Sequence, residues 1–231
     1  MLPEQAQRHY RGEAGRRYHQ EKRALPEAAF PWVARLRAEK LAPLVRRSDV
    51  VLEYGVGSGW NLAALPCARK IGCDISDFLA PTVRNLGIEF VTETALLPDA
   101  SVDVAICHHT LEHVLSPPTI LAELRRLLCP GGRLLVFVPF EKESRYRRFN
   151  PSEPNHHLYS WNSQTLGNLV GECGFSVSEA TVGRFGYSRF AAVWASRLFL
   201  GERGFRAIRR LAHLVRPAFE VRIVAKKPET S

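Results

Sequence analysis

Short apolar runs rich in β-branched residues alternate with longer helical patterns from Ser48 to the end of the chain. This alternation is typical of β-α-β units, in which helices connect parallel strands. The pattern predicts seven strands, over residues 50–54, 70–73, 88–91, 102–107, 133–138, 175–182 and 219–225. It predicts helices near residues 61–66, 78–86, 118–128, 163–173 and within 188–215. We therefore expect an α/β fold.

Two segments do not belong to this alternation. Residues 26–45 have the spacing of an amphipathic helix that packs on the sheet, and residues 1–23 are a polar arm that is either helical or disordered. We therefore divide the chain into an N-terminal helical arm, residues 1–47, and one domain, residues 48–231. At about 150 residues per domain, 231 residues leave no room for a second large domain.

The connection before the last strand, residues 188–217, is far longer than an ordinary loop between a helix and a strand. It is amphipathic and basic, with six arginines between Arg197 and Arg216. Such a segment could lie on an anionic membrane, cover an active site or form a dimer contact. It could equally be a helical pair that completes the core and keeps its arginines in water.

A glycine-rich turn follows the first predicted strand, with Gly55, Gly57 and Gly59 at alternate positions. Glycines of this kind allow the backbone to approach a ligand closely. A dinucleotide site would need a glycine where the chain has Trp60, and Glu53 would repel a pyrophosphate. The turn therefore favours a ligand with a cationic amino group, such as an amino acid moiety.

Asp74 stands at the end of the second predicted strand, where a carboxylate can accept hydrogen bonds from both hydroxyls of a ribose. Further along, residues 97–103 read Leu-Pro-Asp-Ala-Ser-Val-Asp, and residues 111–114 read Leu-Glu-His-Val. These elements and the Pro-Gly-Gly of residues 130–132 follow the glycine turn in a fixed order. In this order the chain resembles the class I S-adenosylmethionine-dependent methyltransferases, closely over residues 48–140 and loosely elsewhere.

This resemblance implies a Rossmann-like sheet of seven strands in the order 3-2-1-4-5-7-6, with helices on both faces and an antiparallel final hairpin. It also implies S-adenosylmethionine as the cofactor. Carried over by position, Glu53, Gly55, Gly57 and Gly59 would hold the methionine part, Asp74 the ribose, and Ile75 the adenine ring. Glu93 would replace the Asp-Ala pair that often binds the adenine amino group, and His108 would contact the cofactor at the same sheet edge. The other interpretation of Glu93 is a solvated loop carboxylate.

Transfer to an oxygen can require a base, and histidine is the side chain with a suitable pKa. His109 follows the fourth predicted strand and is our first candidate. His156 and His157, in the loop after the fifth strand, are rivals, because a histidine near this position often lies over the acceptor in methyltransferases of similar sequence. His113 fits a helix start better than a base, and its spacing from His109 lacks an evident third metal ligand, so we expect no metal. Arg145, Arg147 and Arg148 could bind an anionic group of the acceptor, or form a solvated surface.

Charge narrows the choice of acceptor. The net charge is +9, but residues 1–47 carry +6 whereas residues 48–140, which hold the motifs, carry −4. An acidic centre argues against nucleic acid as the acceptor. The residues after the fourth strand also differ from the Asn/Asp-Pro-Pro-Tyr/Phe motif of enzymes that methylate base amino groups.

We therefore expect an enzyme that methylates an oxygen of a small molecule or a glycan, which could be lipid-linked. The alternatives are an RNA methyltransferase and a non-catalytic S-adenosylmethionine-binding protein with a regulatory or assembly role. The five cysteines lack metal-ligand spacing, and the sequence has neither an apolar leader nor a run of about 18 apolar residues. These features predict a cytoplasmic protein, with peripheral contact at the inner membrane surface through residues 188–217 as an open alternative. The oligomeric state cannot be read from the sequence.

Overall fold

Seven strands form one sheet in the computed structural model, which describes residues 10–141, 148–150 and 155–229. The strands are β1 Val50–Tyr54, β2 Arg69–Cys73, β3 Glu89–Val91, β4 Val102–His108, β5 Leu128–Pro139, β6 Ser176–Arg184 and β7 Phe219–Lys226. Their order is β3-β2-β1-β4-β5-β7-β6, and β7 runs antiparallel to both of its neighbours while the other pairs are parallel. The expected fold class and strand order are confirmed.

The α-helices of the described residues are α1 Gly12–Tyr18, α2 Phe30–Leu41, α3 Ala80–Arg84, α4 Pro117–Leu127, α5 Ser163–Glu172, α6 Ser188–Arg197 and α7 Gly201–Val215. A π-helix, His19–Arg23, extends α1, and 3-10 turns lie at Glu27–Ala29, Ala42–Leu44, Asp77–Leu79, Thr94–Leu96 and Leu111–His113. The described part of the polar arm is thus helical over residues 12–23. No helix of the described chain is long and apolar enough to cross a membrane.

The sheet has an apolar core on each face. One core joins the central strands to α4 and α5, with fully buried residues such as Leu121 and Leu166. The other joins them to the end of α2 and to α3, through residues such as Leu41 and Val83. Because both faces are covered, β4 and β5 contain nearly continuous apolar runs, which is the pattern of buried parallel strands.

Two predicted helices differ from the structure. Residues 61–64 form hydrogen-bonded turns instead of a helix, with Ala63 N donating to Gly59 O. Pro66 follows at once and shortens the segment, and Leu62 and Leu65 fill the core from these turns. The long helical stretch within 188–215 is a hairpin of α6 and α7, interrupted where Phe199 adopts a φ of 54°.

The hairpin of α6 and α7 packs against α2. Ala191, Ala195 and Phe205 are fully buried in a third core with Val33 of α2. The hairpin leaves the sheet at the end of β6 and returns at the start of β7. Since β6 runs parallel to β5, this is the edge at which β1, β2 and β4 also end. The topology therefore brings the glycine turn, the strand-end side chains and the root of the hairpin together.

Candidate active site

The glycine turn after β1 shapes the floor of the site. Gly55, Gly57 and Gly59 have φ angles of 78°, 51° and 77°, a region that side chains other than glycine rarely adopt. A Cβ atom on Gly55 would overlap the side chain of Thr110, so the turn and the loop after β4 approach closely only with glycine here. A Cβ on Gly57 would meet only His19, at 3.7 Å, and would otherwise extend into open space.

Glu53 lies beneath this turn with 1% of its surface exposed. Its Oε1 accepts a hydrogen bond from Asn61 Nδ2 at 2.5 Å, whereas its buried Oε2 has no hydrogen-bond partner among the described residues. Burial raises the pKa of Glu53 to about 8, although the Asn61 bond opposes the shift. A buried carboxylate with an unused oxygen is suited to receive a cationic group.

Asp74 connects β2 to the glycine turn. Its Oδ2 accepts a hydrogen bond from the backbone N–H of Gly57 at 2.8 Å, and its Oδ1 accepts one from that of Ser76 at 2.8 Å. The carboxylate therefore holds two loops in register while it faces the same space as Glu53. Ile75 and Glu93 line this space as well, so the structure brings together the residues that the sequence assigned to the cofactor.

These groups line one cavity of about 1090 Å³. Its wall includes all of the proposed cofactor residues except Gly59, together with His109 and Thr110. The N-terminal arm contributes Tyr10, Tyr18 and His19 to the wall. The cavity is therefore bounded by the sheet edge on one side and by the arm on the other.

Hydrogen bonds of Tyr10 hold the N-terminal arm against the cavity. Its hydroxyl is 2.8 Å from His113 Nδ1 and donates to the backbone oxygen of Asn155 at 3.1 Å. Its own backbone oxygen accepts a hydrogen bond from Ser76 Oγ at 2.8 Å. Sequence reasoning assigned the arm no contact with the site, because nothing in a polar N-terminal pattern specifies its tertiary partner.

A buried polar cluster lies where β4 ends. Arg37 of α2 donates to His108 Nε2 at 2.9 Å, and Lys40 Nζ lies 3.1 Å from the same nitrogen. Lys40 also pairs with Glu220 of β7, and Glu220 Oε2 lies 3.2 Å from His109 Nε2. The predicted histidines thus share a network with three charged residues that sequence reasoning missed. The available sequence signal was the presence of charged residues within a predicted helix, residues 26–45, and within a predicted apolar strand, residues 219–225.

The cluster changes the protonation of its members. Burial lowers the pKa of His109 to about 4, against the opposing hydrogen bond to Glu220. Burial also lowers the pKa of Lys40 to about 7. Although burial disfavours its charge, the hydrogen bond to His109 and the charge of Lys40 keep the pKa of Glu220 below its ordinary value. At neutral pH His109 is therefore uncharged, beside an ionised carboxylate.

The two rival histidines lie apart from the cavity wall. His157 Nδ1 is 2.9 Å from Glu141 Oε1, and its ring stacks edge-on against His113, with ring centroids 4.8 Å apart. His156 is exposed and has a φ of 50°. Of the three catalytic candidates, all of them among the described residues, only His109 lines the cavity. Arg145 and Arg147 lie outside the described residues, and Arg148 is exposed.

Two groups of side chains in the described chain bring three potential metal ligands within 4.8 Å of one another. One is His108, His109 and Glu220; the other is Glu112, His113 and His157. In the first group the cationic side chains of Arg37 and Lys40 already contact the donor atoms. The expectation that the site uses no metal stays a prediction.

Comparison with known proteins gives one family. A family model described as a methyltransferase domain matches residues 19–180. The chain is 34% identical over 142 residues to a protein of Mycolicibacterium smegmatis described as a probable S-adenosylmethionine-dependent methyltransferase. That match covers 58% of this chain and 54% of the relative, so the chain spans about half of the relative's length.

Two further proteins are similar to this chain, one in sequence and one in structure. A mouse protein described as probable tRNA methyltransferase 9B is 30% identical over 133 residues, covering 54% of this chain and 28% of the mouse protein. The crystal structure of a SAM-dependent methyltransferase from Thermotoga maritima has a TM-score of 0.60 and 21% identity, covering 92% of this chain and 94% of the other. At this identity the structural likeness shows the fold alone.

Proposed function

The chain belongs to the family of S-adenosylmethionine-dependent methyltransferases, and from this premise we propose that it methylates an oxygen of a small molecule or a glycan. The observation that carries the proposal is a single cavity with an unused carboxylate oxygen of Glu53 at the glycine turn and the pair of His109 and Glu220 at its side. In this proposal residues 48–231 form the methyltransferase domain, and residues 1–47 form the arm that closes it.

The residues of the cavity fit S-adenosylmethionine. Its amino group would meet the buried Glu53 oxygen, and the open side of Gly57 leaves room for the amino acid part. Asp74 would receive the ribose hydroxyls, Ile75 would pack on the adenine ring, and Glu93 would bind the adenine amino group. When bound, this cofactor supplies a methyl group on a sulfonium, which makes the methyl carbon electrophilic.

His109 is the base in this proposal. Its imidazole is neutral at pH 7 and can therefore take the proton of an acceptor hydroxyl as the oxygen forms its new bond. Glu220 is hydrogen-bonded to Nε2 of His109, which leaves Nδ1 to take the proton. This bond orients the ring, and the carboxylate stabilises the imidazolium that forms. The arm and the aromatic side chains at this edge exclude water, which a direct displacement requires.

The acceptor belongs in the part of the site next to His109. Phe185 stacks 4.2 Å from the His109 ring, and Arg37 lies over Phe185 at 4.7 Å. An apolar ring beside a cation suits an amphiphilic acceptor, and we propose a glycan or small molecule carried on a lipid at the inner membrane surface.

A second candidate is methylation of tRNA, which the description of the mouse relative favours. The basic arm and hairpin would then bind phosphates. The two candidates differ in salt dependence, because contacts with several phosphates give a steep loss of affinity as salt rises.

Incubation with S-adenosylmethionine labelled in its methyl group tests the proposal. We expect label in a lipid-soluble or glycan fraction of a cell extract, as a methyl ether identified by mass spectrometry. His109→Ala should abolish this label, whereas His157→Ala should retain it. Label in the RNA fraction alone would establish the second candidate. Cofactor binding by calorimetry without transfer to any fraction would identify a non-catalytic binding protein.

A further inference from the structure

Five apolar side chains are exposed along α6 and at the turn that joins α6 to α7. They are Phe190, Trp194, Leu198, Phe199 and Leu200, and we call them the tip surface. Between 43% and 95% of each side chain is exposed. The rings of Phe190 and Trp194 lie 6.3 Å apart, and Leu198, Phe199 and Leu200 follow one another directly after α6. Contiguous exposed apolar groups of this kind mark interaction surfaces.

Phe199 is unfavourable for folding. It ends α6 in a left-handed conformation, with a φ of 54°, where glycine or asparagine is preferred. The ring is also 95% exposed and gains almost no burial in return. A bulky residue kept in a strained conformation without packing is a mark of function.

The folded core does not need the tip surface. The opposite side of the hairpin already packs on α2 through Ala191, Ala195 and Phe205, all fully buried. Arg206 of the hairpin also bonds Glu39 of α2 at 2.9 Å. The tip surface is therefore an outer face, additional to the contact that holds the hairpin in place.

The hairpin that carries the tip surface is positively charged. Residues 188–217 contain seven arginines and a single acidic residue, Glu202. Five of the arginines are exposed, namely Arg189, Arg197, Arg203, Arg210 and Arg216. Glu202 is engaged by Arg35 and Arg206, so its charge is already compensated. Arg197 lies 5.9 Å from the Trp194 ring, so cation and aromatic group share one face.

We propose that the tip surface docks on an anionic phospholipid bilayer, with its apolar side chains in the acyl boundary and its arginines on the headgroups. Apolar anchors combined with arginines are the features that hold peripheral proteins at such interfaces. A second copy of this chain would present the same positive charge and be repelled. Single-stranded RNA would use the arginines but leave the aliphatic Leu198 and Leu200 without a partner.

Docking would hold the cavity near the bilayer, about one length of α6, or roughly 15 Å, from the turn that inserts. The hairpin begins at the cavity edge of the sheet, and Phe185, just before α6, contacts His109. A lipid-linked acceptor would then reach the base from the membrane. This consequence rests on the proposed function, but docking itself does not, because vesicle binding is measured without methyl transfer.

Flotation of the full chain with vesicles tests the proposal. We expect binding to phosphatidylcholine vesicles that contain phosphatidylglycerol, weakened by salt, and little binding to pure phosphatidylcholine. Phe199→Asn should weaken binding by about tenfold or more, since an inserted aromatic ring is lost. Asparagine suits the left-handed conformation, so thermal unfolding should show a fold that is intact or stabilised.

Control variants distinguish loss of the tip surface from a general change in exposed apolar area or charge. Leu96→Asn removes another exposed apolar side chain, 67% exposed and outside the hairpin, and should leave vesicle binding unchanged. Arg197→Glu should reduce binding, whereas Arg84→Glu should not. Equal binding of Phe199→Asn and the parent chain would overturn the proposal, as would binding to RNA with none to anionic vesicles. If Phe199→Asn no longer binds vesicles but still transfers methyl groups to a soluble acceptor, docking is supported and the proposed function stays intact.

Discussion

At the scale of single residues, the site contains two buried carboxylates whose charge is set by their neighbours. Glu53 and Glu220 are both almost fully buried, with exposures of 1% and 3%. Their pKa values nevertheless move in opposite directions, because Glu220 has Lys40 and His109 beside it whereas Glu53 has mainly the neutral Asn61. Neighbouring charge therefore decides which of the two is ionised at neutral pH.

The first prediction concerns Glu53 and the cofactor. The pKa of Glu53 is about 8. At lower pH its carboxyl group is largely neutral and attracts an ammonium group weakly. The affinity for S-adenosylhomocysteine should therefore increase as the pH rises from 6 to about 8. In Glu53→Gln the affinity should be lower and nearly independent of pH in that range. Calorimetry measures it, with the exposed Asp77→Asn as control; a variant that keeps the pH dependence of the parent would exclude Glu53 from ligand binding.

The second prediction concerns Glu220 as a positioning residue for His109. Glu220→Gln removes the charge that stabilises the imidazolium, so kcat should fall by about tenfold or more while KM changes little. The acidic limb of the pH–rate profile should also move to lower pH, because Glu220 raises the pKa of His109. The exposed Glu172→Gln is the control. An unshifted limb would mean that Glu220 has only a structural role.

At the scale of elements, the N-terminal arm and the start of β7 complete a site that the Rossmann-like sheet begins. Helix α1 contributes Tyr18 to the cavity wall, and β7 contributes Glu220, which contacts the wall residue His109. Sequence periodicity located both elements approximately, but it could not say that they meet at this edge. Gly15 shows how closely the arm fits: it is buried against Phe78 and the backbone of Tyr10.

The third prediction follows from this fit. A Cβ atom at Gly15 would overlap the Tyr10 backbone and lie 3.2 Å from Phe78, so Gly15→Ala must displace the arm. We expect weaker binding of S-adenosylhomocysteine with little change in thermal unfolding, because the arm lies outside the main cores. Gly171→Ala, in α5 with nothing within 4 Å, is the matched control. Parent-like affinity in Gly15→Ala would show that the arm does not close the cofactor site.

At the scale of the whole molecule, charge is distributed unevenly and the buried charges link stability to pH. The acidic segment, residues 48–140, contains the glycine turn and Asp74, whereas the basic hairpin lies on the outside. The net charge of +9 therefore does not describe the site itself. It comes mainly from residues 1–47 and from the basic hairpin.

The fourth prediction is a stability difference. The pKa of Glu53 is about 8 in the fold and 4.5 as an ordinary value. The folded state therefore binds the extra proton between these pH values, and stability from this group is present below pH 4.5 and lost as the pH rises through 8. The free energy of unfolding of the parent relative to Glu53→Gln should fall with pH across that window, by at most about 1.4 kcal/mol per pH unit. Denaturant titrations at several pH values measure it, and a constant difference would contradict the raised pKa.

The sequence alone predicted the strands and the glycine turn because those features are local, and the resemblance to a family implied the strand order and the cofactor. Strands and glycine turns are specified by neighbouring residues, and parallel strands bring their ends to one edge whatever the details of packing. Only the tertiary structure decided which distant residues meet at the cavity. His109 and Glu220 are 111 positions apart, and Tyr10 and His113 are 103 apart. Such pairs meet because helices and strands pack together, and no local pattern records which distant side chain will lie beside another.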